Sequence, residues 1–250
     1  MFTMKHLKSI SLILILVLLS CGDDNSKESA EPDSPQPTSR FPAELVGTWQ
    51  FYSGNPMAVL SSVEENDILN QTFIFVANGN MNEAIVRPDR NKQGETISAN
   101  GNWFVENKQL KLTDWQGNMV GSNVAYKINS DSSLTLTISG KSAVYFKQDE
   151  IKKKYPSLIV STWNSLRQDG GRTRMIFSSN GKGAFLTTYI DGAFYGRGDF
   201  TWSYSDNVIT AIYENRASSF ATEEYVLNYL NKKSISWTFK NNIVHYVREQ

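Results

Sequence analysis

The residue types that most often do chemistry are scarce in this chain. Its 250 residues contain two histidines and one cysteine, which are His6, Cys21 and His245. The chain beyond Cys21 therefore offers one histidine and no thiol. This excludes disulfides, Cys/His zinc sites and cysteine nucleophiles there, and it leaves a Ser-His-Asp triad a single candidate base, His245. We predict no metal site and no cofactor.

Carboxylates are the remaining candidates for catalysis, because two of them in one cleft can hydrolyse a glycosidic bond. The residues considered are Asp114, Asp191, Asp199 and Glu214. Asp191 belongs to a turn dipeptide and Asp199 lies beside glycines, where solvated turn carboxylates are expected. His245 lies near the end of a strand-like segment, where a histidine is usually a surface residue or a packed one and not a catalytic base. The sequence thus favours a non-enzymatic protein over a glycan-active enzyme.

The balance of charge argues against nucleic acid as a partner. Lys and Arg number 25, Asp and Glu also number 25, and the formal net charge is zero. Proteins that bind nucleic acid carry a basic patch or stripe that neutralises phosphates. We therefore expect that the partner of this chain is not a nucleic acid.

Residues 1–20 have the pattern of an export signal. Lys5 and Lys8 precede an apolar run from Ile10 to Leu19. A basic start followed by about ten apolar residues is typical of a secretory signal peptide, whereas a helix needs about 20 to span a bilayer. The run ends at Ser20-Cys21, which resembles the signal box of bacterial lipoproteins. The resemblance implies cleavage before Cys21 and attachment of lipid to it, hence membrane anchoring. The alternative is a chance thiol in an ordinary signal peptide.

Residues 21–41 predict a disordered, acidic and proline-rich tether. Acidic residues follow Cys21 directly, and prolines occupy positions 32, 35 and 37. Such a composition cannot bury a core. Acidic residues after a lipidated cysteine resemble the surface-export signals of Bacteroidetes lipoproteins, and a simple solvated stalk is the alternative. We expect an outer-membrane lipoprotein that faces either the periplasm or the outside.

An internal repeat organises the rest of the chain. Thr48-Trp49 recurs as Thr162-Trp163, and Asn78-Gly79 recurs as Asn180-Gly181. Later matches keep the same order at an offset near 100 residues, which indicates duplication of one structural unit. We predict one domain at 42–148 and a second at 155–250. The charged residues 149–154 between them predict a solvated linker.

Unit one contains an insertion of 12 residues between its first tryptophan and Phe75 relative to unit two. Apolar residues within 57–69 approximate helical spacing, which predicts a short helix closing one end of the unit. Glu64 interrupts that spacing, so an irregular surface insertion is the alternative.

The texture of both units is strand after strand. Alternating segments such as 134–138 and 235–239 are separated by turn dipeptides. These dipeptides are Asn78-Gly79, Asn100-Gly101, Asp169-Gly170, Asn180-Gly181 and Asp191-Gly192. We count about eight strands per unit, spaced at the 8–12 residues typical of all-β sandwiches and barrels. The predicted fold is all-β, with two tandem small antiparallel up-and-down barrels.

These features together resemble the lipocalin-like domains of Bacteroidetes lipoproteins. The resemblance rests on Gly47-Thr48-Trp49 in a first strand, the Phe-x-x-Asn-Gly turn, about eight meandering strands and a last strand ending in a base. It implies that a basic residue of the last strand covers the tryptophan of the first strand and so closes the barrel. The implied pairs are Trp49 with Lys147 and Trp163 with Arg248. Ser161 replaces the expected glycine in unit two, and each unit is shorter than a full lipocalin, which puts a deep ligand cavity in question.

Aromatic residues are the remaining candidates for ligand contact. Trp103 and Trp202 recur at equivalent positions and are expected in the cores. The candidate contacts are Trp115, Tyr189, Tyr195 and Tyr204. Exposed aromatics in loops are better functional candidates than repeated strand aromatics.

Three hypotheses follow. The first is a lipid-anchored envelope protein whose barrels bind a small apolar or glycan-like ligand or another envelope protein. The second is a structural or interaction module with filled barrels and no small ligand. The third is a glycan-active enzyme. An open aromatic-lined cavity favours the first hypothesis, and packed interiors in both units favour the second.

Overall fold

The computed structural model describes residues 40–88, 94–166, 170–214 and 221–249, without the side chains of residues 121–123 and Leu166. It has two closed barrels in tandem, each with eight antiparallel strands, as predicted. Barrel 1 comprises β1 Gly47–Gly54, β2 Asn70–Phe75, β3 Asn80–Arg87, β4 Glu95–Glu106, β5 Gln109–Asp114, β6 Met119–Ile128, β7 Leu134–Ile138 and β8 Lys141–Lys147. Barrel 2 comprises β9 Ser161–Leu166, β10 Arg172–Phe177, β11 Lys182–Thr188, β12 Phe194–Ser205, β13 Val208–Tyr213, β14 Ala221–Leu230, β15 Ser234–Phe239 and β16 Asn242–Arg248.

Both barrels are simple meanders, in which each strand pairs with the next and the last strand returns to the first. In barrel 1, β8 closes on β1 with Lys147 opposite Trp49. In barrel 2, β16 closes on β9 with Arg248 opposite Trp163. We call the end of each barrel that carries the loops after its first, third, fifth and seventh strands the mouth, and the opposite end the base. The closing ladder of barrel 2 also joins Val247 to Asn164.

The duplication extends to individual hydrogen bonds. The indole Nε1 of Trp49 donates to the carbonyl oxygen of Leu45 at 2.8 Å, and that of Trp163 donates to the carbonyl oxygen of Ile159 at 3.0 Å. Both bonds run four residues back along the chain. Each buried indole N–H thus finds an acceptor in the segment that enters the barrel, which fixes this segment against the base.

The Asn-Gly dipeptides serve two different purposes. Gly79 and Gly181 have φ values of +90° and +75° in tight turns, as predicted. The turn predicted at Asn100-Gly101 is wrong, because both residues lie inside β4. A Cβ at Gly101 would lie 2.1 Å from the carbonyl oxygen of Thr113. This glycine permits close strand approach instead of a turn.

The charged segment between the barrels is helical. It forms α1 Gln148–Lys152 and α2 Tyr155–Ile159. Ile151 and Ile159 are fully buried, and both belong to the apolar core of barrel 2. The segment therefore differs from the solvated linker expected from its charges, because its apolar residues cover the base of barrel 2 while its lysines remain outside.

Polar groups also join the two barrels. Asn231 and Ser234, in and after the β14–β15 turn, are fully buried. Asn231 Nδ2 donates to the carbonyl oxygen of Leu69 at 3.0 Å, and Ser234 Oγ donates to the same oxygen at 2.6 Å. Lys233 Nζ donates to the carbonyl oxygen of Ile68 at 2.8 Å. We call these contacts the inter-barrel clamp.

Candidate functional site

The interiors of the two barrels differ, although their folds are the same. The side chains of barrel 1 fill its interior with a continuous apolar core. That core comprises Leu45, Trp49, Phe51, Phe73, Phe75, Met81, Trp103, Leu110, Leu112, Val124, Leu134, Leu136, Ala143 and Tyr145. A small eight-stranded barrel is just wide enough for such filling.

The insertion of unit one closes the mouth of barrel 1. It lies within residues 55–69, whose one regular element is a 3₁₀ turn at Glu65–Asp67. The segment is therefore largely irregular, as in the second of the two alternatives, and its only helical part is this single turn. Val59 and Leu60 pack against the barrel core. We call residues 55–69 the plug.

A buried carboxylate inside barrel 1 holds the plug. Glu83 is 1% exposed, and its carboxylate accepts hydrogen bonds from the backbone N–H groups of Val59 at 2.9 Å and Leu60 at 2.7 Å. Gln71 Nε2 donates to the same carboxylate at 2.6 Å, and Tyr145 donates its hydroxyl proton to Gln71 Oε1 at 2.6 Å. Burial raises the pKa of Glu83, and the backbone hydrogen bonds partly oppose that rise. This polar chain serves to fix the plug.

Barrel 2 retains a cavity at its mouth. The cavity measures about 250 Å³. Its lining residues are Thr173, Met175, Phe185, Thr187, Tyr213, Glu223, Tyr225, Trp237, Phe239, Val244 and Tyr246. All of them lie on strands, so the barrel itself positions them.

The strand registers explain why space remains in barrel 2. Trp49 and Trp163 occupy equivalent positions in β1 and β9, so Ser165 stands where barrel 1 has Phe51. Phe73 and Met175 face the two tryptophans across equivalent ladders. On the next strand, Phe73 pairs with Glu83 and Met175 pairs with Phe185. Two residues further along those strands, Thr187 of barrel 2 stands where barrel 1 has Ile85. Smaller side chains at these mouth positions leave volume that larger ones fill in barrel 1.

A short hydrogen-bonded chain provides the polar groups of the cavity. The hydroxyl groups of Tyr213 and Tyr225 are 2.8 Å apart, and the Tyr225 hydroxyl donates to Glu223 Oε2 at 2.6 Å. Burial raises the pKa of Tyr225 well above its ordinary value, and burial likewise raises the pKa of Tyr246. Both phenols therefore remain protonated at neutral pH, and the single hydroxyl proton of Tyr225 is donated to Glu223.

Two of the predicted ligand-contact residues meet at this mouth. Tyr189 and Tyr195 flank the β11–β12 turn, and their rings form a T-shaped contact with centroids 5.0 Å apart. Tyr204 lies toward the base, where it contacts Tyr155. Trp115 is 74% exposed and lies in the β5–β6 turn of barrel 1. The structure therefore does not bring these four residues into one site.

In both predicted pairs, the basic residue lies beside its tryptophan at the base end of the barrel. Lys147 Nζ is 5.3 Å from the Trp49 ring centroid, and the guanidinium carbon of Arg248 is 4.8 Å from that of Trp163. Arg248 also donates to the carbonyl oxygen of Leu158 at 2.7 Å. Cys21 lies outside the described residues.

The candidate catalytic residues are distributed over several surfaces. Asp114 caps its own turn in barrel 1, where hydrogen bonds from Asn118 lower its pKa. Asp191 caps the β11–β12 turn. Asp199 and Glu214 line one outer groove of barrel 2, in which Arg197 pairs with the Asp199 carboxylate at 2.8 Å.

His245 lies in a different groove, between the barrels. Its Nδ1 is 3.0 Å from the Tyr229 hydroxyl, and the described residues that line this groove include no Asp or Glu. No group of three or more described His, Cys, Asp or Glu side chains has the arrangement to hold a metal ion. Within the same part of the chain, no helix has the length and apolarity to cross a membrane.

Sequence reasoning missed the residues that line the cavity of barrel 2. Tyr213, Tyr225 and Trp237 alternate inward on their strands like any core residue. The available signal was comparative, namely Ser165 and Thr187 aligned with larger residues of unit one.

Two comparisons with known proteins returned no match. No protein-family model matches the chain, and no curated protein matches it. The fold therefore defines the class as a tandem pair of small up-and-down β-barrels.

Proposed function

We propose that the protein is a non-enzymatic binder that takes a small, mainly apolar ligand into the mouth of barrel 2, with barrel 1 as its filled scaffold. The observation that carries the proposal is the difference between the interiors. Barrel 1 is packed and plugged, whereas barrel 2 has an aromatic-lined cavity of about 250 Å³. A duplicated fold with a plug over the mouth of one copy and an open, aromatic-lined depression at the mouth of the other supports a division between support and binding.

The lining favours a ring or a short chain bearing one polar group. Aromatic and aliphatic side chains contribute most of the lining, and three of its six hydroxyl- or carboxyl-bearing side chains, Tyr213, Tyr225 and Glu223, bond to one another. Ligand pockets commonly combine an apolar lining with a few polar groups that fix orientation. A lining of this kind suits a ligand with few hydroxyl groups better than a sugar with many. We therefore favour the apolar class over the glycan class.

Filling the cavity tests the proposal. Thr187 points into the cavity, and its neighbour Thr188 points outward on the same strand. A panel of small aromatic and short-chain alcohols, acids and amines should contain compounds that raise the melting temperature of the wild-type chain. Thr187→Phe should abolish that rise, because the larger side chain occupies the cavity, and Thr188→Phe should retain it.

Two results of this experiment would contradict the proposal. One is the absence of any melting shift across the panel with the wild-type chain. The other is an equal shift in wild type and Thr187→Phe, which would place the binding elsewhere.

We further propose that the protein is exported and held to the outer membrane by lipid on Cys21. The support is the apolar run that ends at Ser20-Cys21 and the absence of any other cysteine from the sequence. Cys21→Ala should abolish incorporation of radiolabelled fatty acid and release the protein from the membrane fraction. Cys21→Ser, which keeps a similar size, should behave in the same way because lipid attachment requires the thiol. Continued labelling of either variant would refute the anchor.

A further inference from the structure

The β11–β12 hairpin at the mouth of barrel 2 exposes a cluster of apolar side chains. We call residues 189–195 the rim hairpin. The described residues include 12 exposed large apolar side chains, and four of them lie on this hairpin, which are Tyr189 at 47%, Ile190 at 78%, Phe194 at 62% and Tyr195 at 59% exposure. Clustered apolar exposure of this kind marks an interaction surface, whereas scattered single residues do not.

The rim hairpin is held in shape by its own hydrogen bonds. The N–H of Tyr189 donates to the carbonyl oxygen of Ala193 at 2.9 Å, and the N–H of Ala193 donates to Asp191 Oδ1 at 2.8 Å. Gly192 takes a φ of +82°, which suits glycine. The apolar side chains are therefore presented by a formed turn, and no ordering of the turn is needed for contact.

A groove with two arginines adjoins the rim hairpin. It measures about 530 Å³, and Arg172, Arg174, Tyr189 and Ile190 are among its lining residues. Arg174 pairs with Glu249 at 2.6 Å. Arg172 is exposed and makes no ion pair with any residue that the structure describes. The groove thus places the Arg172 guanidinium beside the apolar tip, while the exposed Asp191 carboxylate caps the turn of the tip itself.

We propose that the rim hairpin docks on a phospholipid surface, with Ile190, Phe194 and Tyr195 at the boundary of headgroups and acyl chains and Arg172 facing the headgroup phosphates. Aromatic side chains with one polar end favour this boundary, and arginine is attracted to anionic lipid. A seven-residue tip is too small for a stable protein interface, which buries about 800 Å² on each partner. The proposal requires neither lipid on Cys21 nor a ligand in the cavity.

A single-cysteine label can test this contact, because Cys21 is the only cysteine in the sequence. The full chain carrying Cys21→Ala and Phe194→Cys is labelled with the environment-sensitive dye NBD. The matched control carries Cys21→Ala and Ile243→Cys, since Ile243 is 56% exposed and lines the groove between the barrels. Vesicles of phosphatidylcholine alone and of phosphatidylcholine with phosphatidylglycerol are then added.

We expect a blue shift and a severalfold gain in emission at position 194, larger with phosphatidylglycerol, and no change at position 243. Ile190→Asp should abolish the response at 194, and Arg172→Gln should remove the preference for phosphatidylglycerol. Near-ultraviolet circular dichroism verifies that each variant is folded. No response at 194, or equal responses at 194 and 243, would overturn the proposal. Equal responses to both vesicle types would overturn the role of Arg172. Because cavity binding is measured by melting shifts without vesicles, the two proposals fail separately.

Discussion

At the scale of single residues, Glu83 shows how a polar group can be used inside a packed barrel. Burial disfavours its charged form, and yet three donors point at its carboxylate. An unpaired buried charge would be far more costly, so these hydrogen bonds are what make the position tolerable. Phe185 occupies the equivalent place in barrel 2, where no such plug has to be held.

Glu83 should make stability depend on pH. Its pKa is raised in the folded state, so the unfolded chain releases this proton first as the pH increases. The free energy of unfolding then falls as the pH rises from the ordinary Glu pKa through the raised one. Glu83→Gln should remove that fall. Urea unfolding near the ordinary Glu pKa and at neutral pH measures both chains.

Relative to Glu83→Gln, the wild-type chain should therefore be more stable near the ordinary Glu pKa than at neutral pH. The same pH dependence in both chains would show that Glu83 does not titrate in this way.

At the scale of elements, the sequence predicted the strands well because alternation and turn dipeptides reported them directly. The eight strands of unit one start within three residues of the positions expected near 46, 71, 80, 98, 108, 121, 132 and 142. The turn predicted at Asn100-Gly101 is wrong because a glycine in such a dipeptide can also serve the close approach of a neighbouring strand. The apolar spacing within residues 57–69 does not decide between a helix and an irregular loop for the plug. Its conformation depends on Glu83, a contact that no local pattern contains.

The closing contacts of the two barrels differ in strength, which separates them by experiment. Arg248 covers the Trp163 ring and also donates to the carbonyl oxygen of Leu158. Removing this charged hydrogen bond by Arg248→Met should lower the free energy of unfolding by about 1.5–3 kcal/mol. Lys147→Met leaves only a longer cation–ring contact to lose, and should cost about 0.5–1 kcal/mol.

Chemical denaturation of the two variants measures both effects. The methionine keeps most of the aliphatic stem in each case, so lost packing is matched. Equal costs would mean that the bond from Arg248 to Leu158 adds nothing to the cation–ring contact.

At the scale of the whole molecule, the cavity could not be predicted from one unit alone. Each strand of barrel 2 has the inward alternation of an ordinary core, and the space appears only where small side chains from several strands meet. Ser165 and Thr187 are far apart in sequence and converge only through the barrel. The inter-barrel clamp was equally hidden, since Asn231 reads locally as a turn residue.

The clamp should couple the two barrels. Asn231→Ala removes the acceptor for the N–H groups of Lys233 and Ser234 and one donor to Leu69, and should lower the free energy of unfolding by about 1–3 kcal/mol. Hydrogen exchange should then increase at residues 68–70 of barrel 1, although the substitution lies in barrel 2.

Asn228→Ala is the control for this experiment. Its side chain bonds to Ser236 and Thr238 within barrel 2, so exchange at residues 68–70 should stay unchanged. Unchanged exchange there in Asn231→Ala as well would mean that the clamp does not couple the barrels.

The pairing of β16 with β9 has a consequence for the order in which the chain folds. Trp163 and Arg248 are opposite each other in the closed barrel, so the first strand of barrel 2 must wait for the last one. All eight strands of barrel 1, in contrast, precede α1 in sequence. A chain emerging from a pore or ribosome can therefore complete barrel 1 while barrel 2 remains open, and domains that finish early in this way tend to fold as units. Barrel 1 then offers the backbone carbonyls of Ile68 and Leu69 as a docking surface before barrel 2 closes.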